Sequence, residues 1–210
     1  MKKREKIIAE YLLQIKAIKL EPANPFLWAS GWHSPIYCDN RLILSSPEIR
    51  KFIVESFCDL IRSVYPEATL IAGVATGAIA HGAVVADRLD LPFAYVRNAP
   101  KGHGLSNIIE GRVTSSDRVV VIEDLVSTGS SSISAVKALR AEGCEVMGMA
   151  AIFTYGFEIA ADNFRRSACE FHTLTNYEIL IDVALDKGVV NREHLKTLQD
   201  WRKNPEEWGE

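Results

Sequence analysis

The chain reads as an α/β protein with a mostly parallel twisted sheet flanked by helices, and three observations predict this class. Short β-branched runs, of which Val119 to Ile122 is the clearest, alternate with stretches whose apolar residues recur at helical spacing. Small-residue turns at 73–77 and 127–131 stand where a strand gives way to a helix. The length, 210 residues, suits one well-buried domain with a small appended lobe.

Taken in order, an amphipathic helix is expected over about 3–17, with Ile7, Ile8, Tyr11, Leu12 and Ile15 on one face. Extended segments follow around Phe26-Leu27-Trp28 and Ile36-Tyr37-Cys38. The run from Ser30 to Arg41 reads as a two-stranded hood turning at Ser34-Pro35. Ser45-Ser46-Pro47-Glu48 opens a helix over 48–63, with Pro47 in its first turn. The alternation then runs strand 69–74, helix 78–89, strand 93–97, a polar loop with Pro100, Gly102 and Gly104, and strand 117–122. It continues with helix 130–142, strand 145–153, a short helix near 157–165 and strand 169–174. Asn176 to Lys187 is a further helix stopped by Gly188, and Asn191 caps a last one carrying Leu195, Leu198 and Trp201. The expected organisation is a single domain over 1–210, its core at about 46–175, with 1–45 and 176–210 forming a hood or flanking lobe.

Composition excludes several classes. A formal charge of −3, without a stripe of Lys and Arg interleaved with aromatics, argues against a nucleic-acid binder. No apolar run of about 18 residues is present, so no membrane partner is expected. Glu10, Gln14, Lys16 and Lys19 interrupt every early apolar stretch, leaving no secretory signal core. Cys38, Cys58, Cys144 and Cys169 are scattered without C-x-x-C spacing and read as reduced thiols of a cytoplasmic protein.

The functional signal concentrates at 119–132, VVVIEDLVSTGSSS. Glu123 and Asp124 end a buried-strand run, and Ser127-Thr128-Gly129-Ser130-Ser131 opens the next helix. Unpaired amides and the dipole at a helix N-terminus attract phosphate, Gly129 permits close backbone approach, and the hydroxyls add donors. Carboxylates beside them accept hydrogen bonds from sugar hydroxyls or face a metal. A sugar phosphate suits both halves. In an open parallel sheet, ligands lie beyond the carboxyl ends of the strands. The turn Val74-Ala75-Thr76-Gly77 falls there too, with small side chains that expose amides to a diphosphate. The loop after strand 93–97 brings Arg97, Lys101 and His103, cations able to close over such a group and offset its charge.

The strand–acid pair–hydroxyl turn resembles the phosphoribosyl pyrophosphate (PRPP) motif of the type I phosphoribosyltransferases. The order S-G-x-x-S-P-I-Y-C-D-N-R, the turn 73–77, Y-V-R-x-x-x-K-G-H-G and E-D-L-V-S-T-G-S-S is similar to the orotate-specific members over nearly the whole chain. The resemblance implies the type I phosphoribosyltransferase fold. It also implies transfer of phosphoribose from PRPP to orotate, giving orotidine 5′-phosphate and pyrophosphate in pyrimidine biosynthesis.

Carried over by position, Glu123 and Asp124 hold the ribose hydroxyls, and Leu125 and Val126 continue the PRPP-binding run into the 5′-phosphate loop formed by Ser127, Thr128, Gly129, Ser130 and Ser131. Val74, Ala75, Thr76 and Gly77 form the pyrophosphate turn. Arg97, Lys101 and His103 bind pyrophosphate from a loop, 97–104, that reaches the neighbouring subunit of a homodimer. Lys101, His103 and Asp124 are the implied catalytic residues, and Ser127, Tyr37 and Cys38 the orotate contacts. Mg²⁺ is the implied cofactor, held mainly through PRPP, with Asp124 as the candidate protein ligand. Relative to many members, Asn98, Thr76 and Ala29 stand where lysines occur, and Tyr155 or Gly156 where an orotate-binding arginine occurs. Two alternatives share the PRPP turn: a phosphoribosyltransferase for a purine base, and a PRPP-sensing transcription regulator. The second needs a DNA-binding module, and the 45 residues before the core show no winged-helix pattern.

Overall fold

The computed structural model describes residues 2–28, 30–97 and 108–208. The elements are α1 (Lys2–Gln14), β1 (Ile18–Leu20), β2 (Phe26–Leu27), β3 (His33–Ser34), β4 (Ile36–Cys38), a 3-10 helix (Asn40–Ser45) and α2 (Pro47–Val64). Then follow β5 (Leu70–Val74), α3 (Ile79–Leu89), β6 (Phe93–Val96), β7 (Ile109–Glu110), β8 (Arg118–Val126) and α4 (Ser130–Ala141). The chain continues through β9 (Glu145–Thr154), α5 (Glu158–Arg166), β10 (Phe171–Asn176), α6 (Tyr177–Asp186) and α7 (His194–Lys203).

The main sheet has six strands in the order β10-β9-β8-β5-β6-β7. All pairs are parallel except the β6–β7 edge. The α/β class with a mostly parallel sheet is the one the alternation predicts. Strand periodicity sorts the core into two faces. Val120, Ile122, Ala150 and Ile152 pack with Ile8 and Leu12 of α1, Ile53 and Phe57 of α2 and Leu180 of α6. Val119, Val121, Met149 and Ala151 pack on the other face with Ile133, Val136 and Leu139 of α4 and Phe164 of α5. Each fully buried Val or Ile here contributes roughly 1.5–3 kcal/mol, so the β-branched run is what fixes β8 at the centre.

Four boundaries differ from expectation for identifiable reasons. The first helix ends at Gln14 because the chain turns at Lys16, whose φ is 57°. Residues 18–20 then become a strand paired with Ile36–Cys38. The hood does not turn at Ser34-Pro35. β2 pairs with β3, Trp28 N donates to Trp32 O and Gly31, at φ 91°, donates to Trp28 O, and the chain passes through Pro35 into β4, which pairs with β1. The Ser34 hydroxyl bonds the Ile36 amide and carbonyl, holding that junction extended.

The central strand runs four residues beyond 122. β9 is long enough to continue the ladder, pairing Leu125 with Phe153 and Val126 with Thr154. Finally, α7 starts at His194, with the Asn191 side chain accepting the His194 amide just ahead of it. Leu198 and Trp201 of α7 are fully buried against their own chain. The Trp201 indole donates to the His33 carbonyl at 3.2 Å, and the Tyr177 hydroxyl donates to Leu198 O at 3.0 Å. Among the described residues no helix is long and apolar enough to cross a membrane.

Candidate active site

Glu123 and Asp124, near the end of β8, bring two carboxylates to one cleft, close enough that the charge of Asp124 bears on Glu123. Glu123 turns toward α4 and is 5% exposed. One carboxylate oxygen accepts the Ser132 hydroxyl at 3.1 Å, and the other accepts the Asp124 amide at 3.1 Å. Burial, and then the neighbouring Asp124 charge, push its pKa well above the ordinary glutamate value. Asp124 turns toward the hood and the turn after β5. Its carboxylate lies directly over the Cα of Gly77, where no side chain intervenes.

Past β8, Gly129 takes φ 77° as the N-cap of α4 and supplies no side-chain cap. The opening amides of α4 are thus left to whatever enters the cleft. Thr128 and Ser130 hydroxyls lie 3.1 Å apart, and the Asn163 amide of α5 holds the Thr128 carbonyl at 2.9 Å. Across the cleft, the turn after β5 is fixed by Ala75 N to Val96 O, 2.8 Å, and Ala78 N to Val74 O, 3.1 Å. The Ala75–Thr76 peptide is cis.

These walls enclose about 390 Å³. Of the residues expected from sequence, Val74 to Gly77, Glu123, Asp124, Leu125, Ser127 to Ser131 and Cys38 line this one cleft. Its walls are polar, with a helix N-terminus at one side and carboxylates at the other, an arrangement that receives a phosphorylated sugar. A larger groove of about 540 Å³ is lined by residues of α1 and α2, among them Tyr11 and Phe52, and shares none with the cleft. It is apolar and holds none of the motif residues, so the smaller cleft is the candidate site.

Some expected residues lie elsewhere. Val126 is fully buried, and its carbonyl accepts the Thr154 hydroxyl at 3.1 Å and the Tyr155 amide at 3.3 Å. Tyr37 stands at the hood, 41% exposed, with its ring 5.6 Å from that of Phe26. Arg97 ends β6 with its guanidinium 3.7 Å from Glu110 and its amide on Ile108 O at 2.7 Å. It is not part of the cleft lining. Lys101 and His103, like Ala29 and Asn98, lie outside the described residues. Tyr155 is buried in an aromatic cluster with Trp28, Phe153, Phe157 and Trp201. Cys38 has its thiol pKa raised by burial, then by Asp124 and Asp39, which makes it a poor nucleophile.

Three cleft residues escaped the sequence reading: Asp39, Arg41 and Ser132. Asp39 and Arg41 form a two-pronged ion pair at 2.6 and 2.9 Å. The adjacent C-D-N-R stretch was the available signal. Ser132 closes the 119–132 stretch, but only its place in the first turn of α4 shows that its hydroxyl reaches Glu123.

The sequence matches the phosphoribosyl transferase domain over residues 43–187. It is 55% identical over 208 residues to an orotate phosphoribosyltransferase of Bacteroides thetaiotaomicron, covering 99% of this chain and 98% of that one. Among solved structures, the orotate phosphoribosyltransferase of Aeropyrum pernix superposes with a TM-score of 0.74 at 25% identity, covering 88% of this chain and 99% of that chain. The orotate phosphoribosyltransferase of Mycobacterium tuberculosis H37Rv in complex with PRPP shares the fold, with a TM-score of 0.65 at 20% identity over 84% of this chain and 98% of that one.

Proposed function

The chain belongs to the orotate phosphoribosyltransferases of the phosphoribosyl transferase family, and from that premise we propose how its cleft carries out the transfer. The reaction breaks the C1–O bond between ribose and diphosphate in PRPP and forms a C1–N1 bond to orotate. The observation that carries the assignment is the single cleft in which Glu123, Asp124, the amides opening α4 and the turn 74–77 face one another.

In this reading the 5′-phosphate sits on the amides and hydroxyls of 127–131, where the α4 dipole favours negative charge. Asp124 and Glu123 accept hydrogen bonds from the ribose hydroxyls, and the Asp124 carboxylate favours the positive charge that develops on the ring. The diphosphate lies along Val74 to Gly77. Leu125, and the backbone of Val126 behind it, hold these two ends of the cleft at a fixed separation. Lys101 stabilises the departing diphosphate and His103 hydrogen-bonds or protonates one of its oxygens. Tyr37, Cys38 and Ser127 border the base.

Mg²⁺ fits this donor set. Among the described residues no group of three or more His, Cys, Asp or Glu side chains forms a metal centre. Mg²⁺ ordinarily keeps one or two carboxylates and completes its shell with substrate phosphates and water. Asp124 is the proposed carboxylate, and the ion when bound would offset charge on the diphosphate. A homodimer is proposed as well from the family resemblance, with loop 97–104 contributing to the neighbouring subunit's site. Residence in the cytoplasm is proposed from the free thiols.

The test is loss of orotate absorbance on mixing the protein with PRPP, orotate and Mg²⁺, with adenine, guanine, xanthine and uracil in parallel. Mg²⁺-dependent consumption of orotate alone is expected. Turnover of a purine base instead would overturn the base assignment. PRPP binding without turnover of any base would favour a sensor over an enzyme.

A further inference from the structure

The hood stretch Cys38-Asp39-Asn40-Arg41 contributes a residue that neither substrate requires directly. Asn40, the first residue of the 3-10 helix, is 1% exposed. Its side-chain amide crosses 84 positions of sequence to donate to the Asp124 carbonyl at 2.6 Å. The β5–β8 ladder stops at the pair Gly73 and Ile122, so beyond it β8 has no β5 neighbour. Asn40 supplies a donor at that point, directly behind the Asp124 carboxylate.

The Asn40 main chain is itself held. His81 of α3, also 1% exposed, places its Nε2 3.2 Å from the Asn40 carbonyl. A carbonyl only accepts, so Nε2 carries a proton and donates to it. Burial pushes the His81 pKa down, which favours the neutral ring. Ahead of Asn40, the Asp39 side chain accepts the Arg41 amide and guanidinium, which stiffens the segment.

A closed circuit results. Asn40 holds Asp124, Asp124 overlies Gly77, the chain runs from Gly77 into α3, and His81 of α3 holds Asn40. Asn40 Oδ1 and His81 Nδ1 are buried with no partner among the described residues. Apolar side chains of similar volume would fill this space without that cost, so packing alone does not account for the pair.

We propose that Asn40, seated by His81, is a positioning residue that sets the Asp124 carboxylate against the diphosphate turn for phosphoribosyl transfer. The inference rests on the reading of the cleft given above. Neither residue is among those lining the cleft. Misplacing Asp124 therefore affects the transition state, where ring charge develops, more than ground-state binding.

The experiment compares wild type, Asn40→Ala, His81→Leu and His81→Gln in steady-state orotate turnover, with thermal unfolding of each. In Asn40→Ala, kcat and kcat/KM should fall together by on the order of tenfold to a hundredfold, with KM for PRPP and orotate close to wild type. His81→Leu, which loses the donor, should lose turnover in the same manner, and His81→Gln, which keeps an amide donor, should recover much of it. An Asn40→Ala enzyme with wild-type kcat and only a lowered unfolding midpoint overturns the inference and leaves a structural staple. A rise in KM with kcat unchanged also overturns it.

Should the variant not fold, the wild-type Asn40 side-chain amide decides by NMR. Protection from solvent exchange and a shift on adding PRPP with Mg²⁺ are expected, and rapid exchange overturns the inference. A wild type that consumes no orotate would instead remove the transfer reading itself, a result distinct from an active wild type with an equally active Asn40→Ala.

Discussion

Replacing Gly77 with alanine separates catalysis from stability in this cleft. A Cβ built at Gly77 would lie 2.5 Å from Asp124 Cγ and 2.6 Å from its Oδ1. Ordinary carbon contacts begin near 3.5 Å, so the carboxylate must retreat by about 1 Å. It is the end of a side chain and can swing away, and Gly77 does not occupy the left-handed region that alanine avoids. Folding should therefore change little, and Gly→Ala at a compatible position stabilises by about 0.4–1 kcal/mol through the unfolded chain.

Catalysis should respond differently. A displacement of about 1 Å can cost on the order of a hundredfold in rate. At about 1.4 kcal/mol per tenfold, that adds about 2.7 kcal/mol to the barrier. The assay is initial-rate orotate consumption at saturating PRPP, beside urea unfolding of the same preparation. A folded Gly77→Ala enzyme with kcat within about twofold of wild type would refute the argument that Asp124 must sit where it does. A rise confined to KM for PRPP would place the damage in the turn instead of the carboxylate.

Other outcomes follow from the same geometry. Glu123 holds its proton to higher pH in the folded state than in the unfolded one, chiefly because it is buried. Its contribution to stability is therefore complete below the ordinary glutamate pKa and is lost as pH rises through the raised folded value. Glu123→Gln should gain stability relative to wild type as pH goes from about 5 to about 8, and urea midpoints across that range that stay parallel would contradict the burial argument. Trp201 is fully buried, so Trp201→Ala should cost about 3–5 kcal/mol in denaturant unfolding. Trp201→Phe should cost about 1 kcal/mol by losing the bond to His33 O. Lys101→Ala should depress turnover strongly while changing unfolding free energy by no more than about 0.5 kcal/mol, and unchanged turnover would remove Lys101 from the chemistry.

How much of this was legible in the sequence depends on the range of the interaction. The parallel sheet could be read because Val119 to Ile122 is flanked by helical spacings on both sides, a signal local to each segment. The acid pair and the hydroxyl turn were legible for the same reason, since strand end and helix start adjoin in sequence. The hood was misread because β1 has three residues and β3 has two, too few for any periodicity to register. The extension of β8 through Leu125 and Val126 depended on the length of β9, a partner that no property of residues 119–126 reveals. The Asn40 bond to Asp124 spans 84 positions and joins two segments with no shared pattern. Only the folded chain displays it.

The most direct test of the account is a crystal structure of the protein with PRPP and Mg²⁺ bound. The account predicts the 5′-phosphate on the amides of 128–131, the ribose hydroxyls on Asp124 and Glu123, and the diphosphate along Val74 to Gly77. A phosphoribosyl group in the reverse orientation, or seated away from β8, would contradict it.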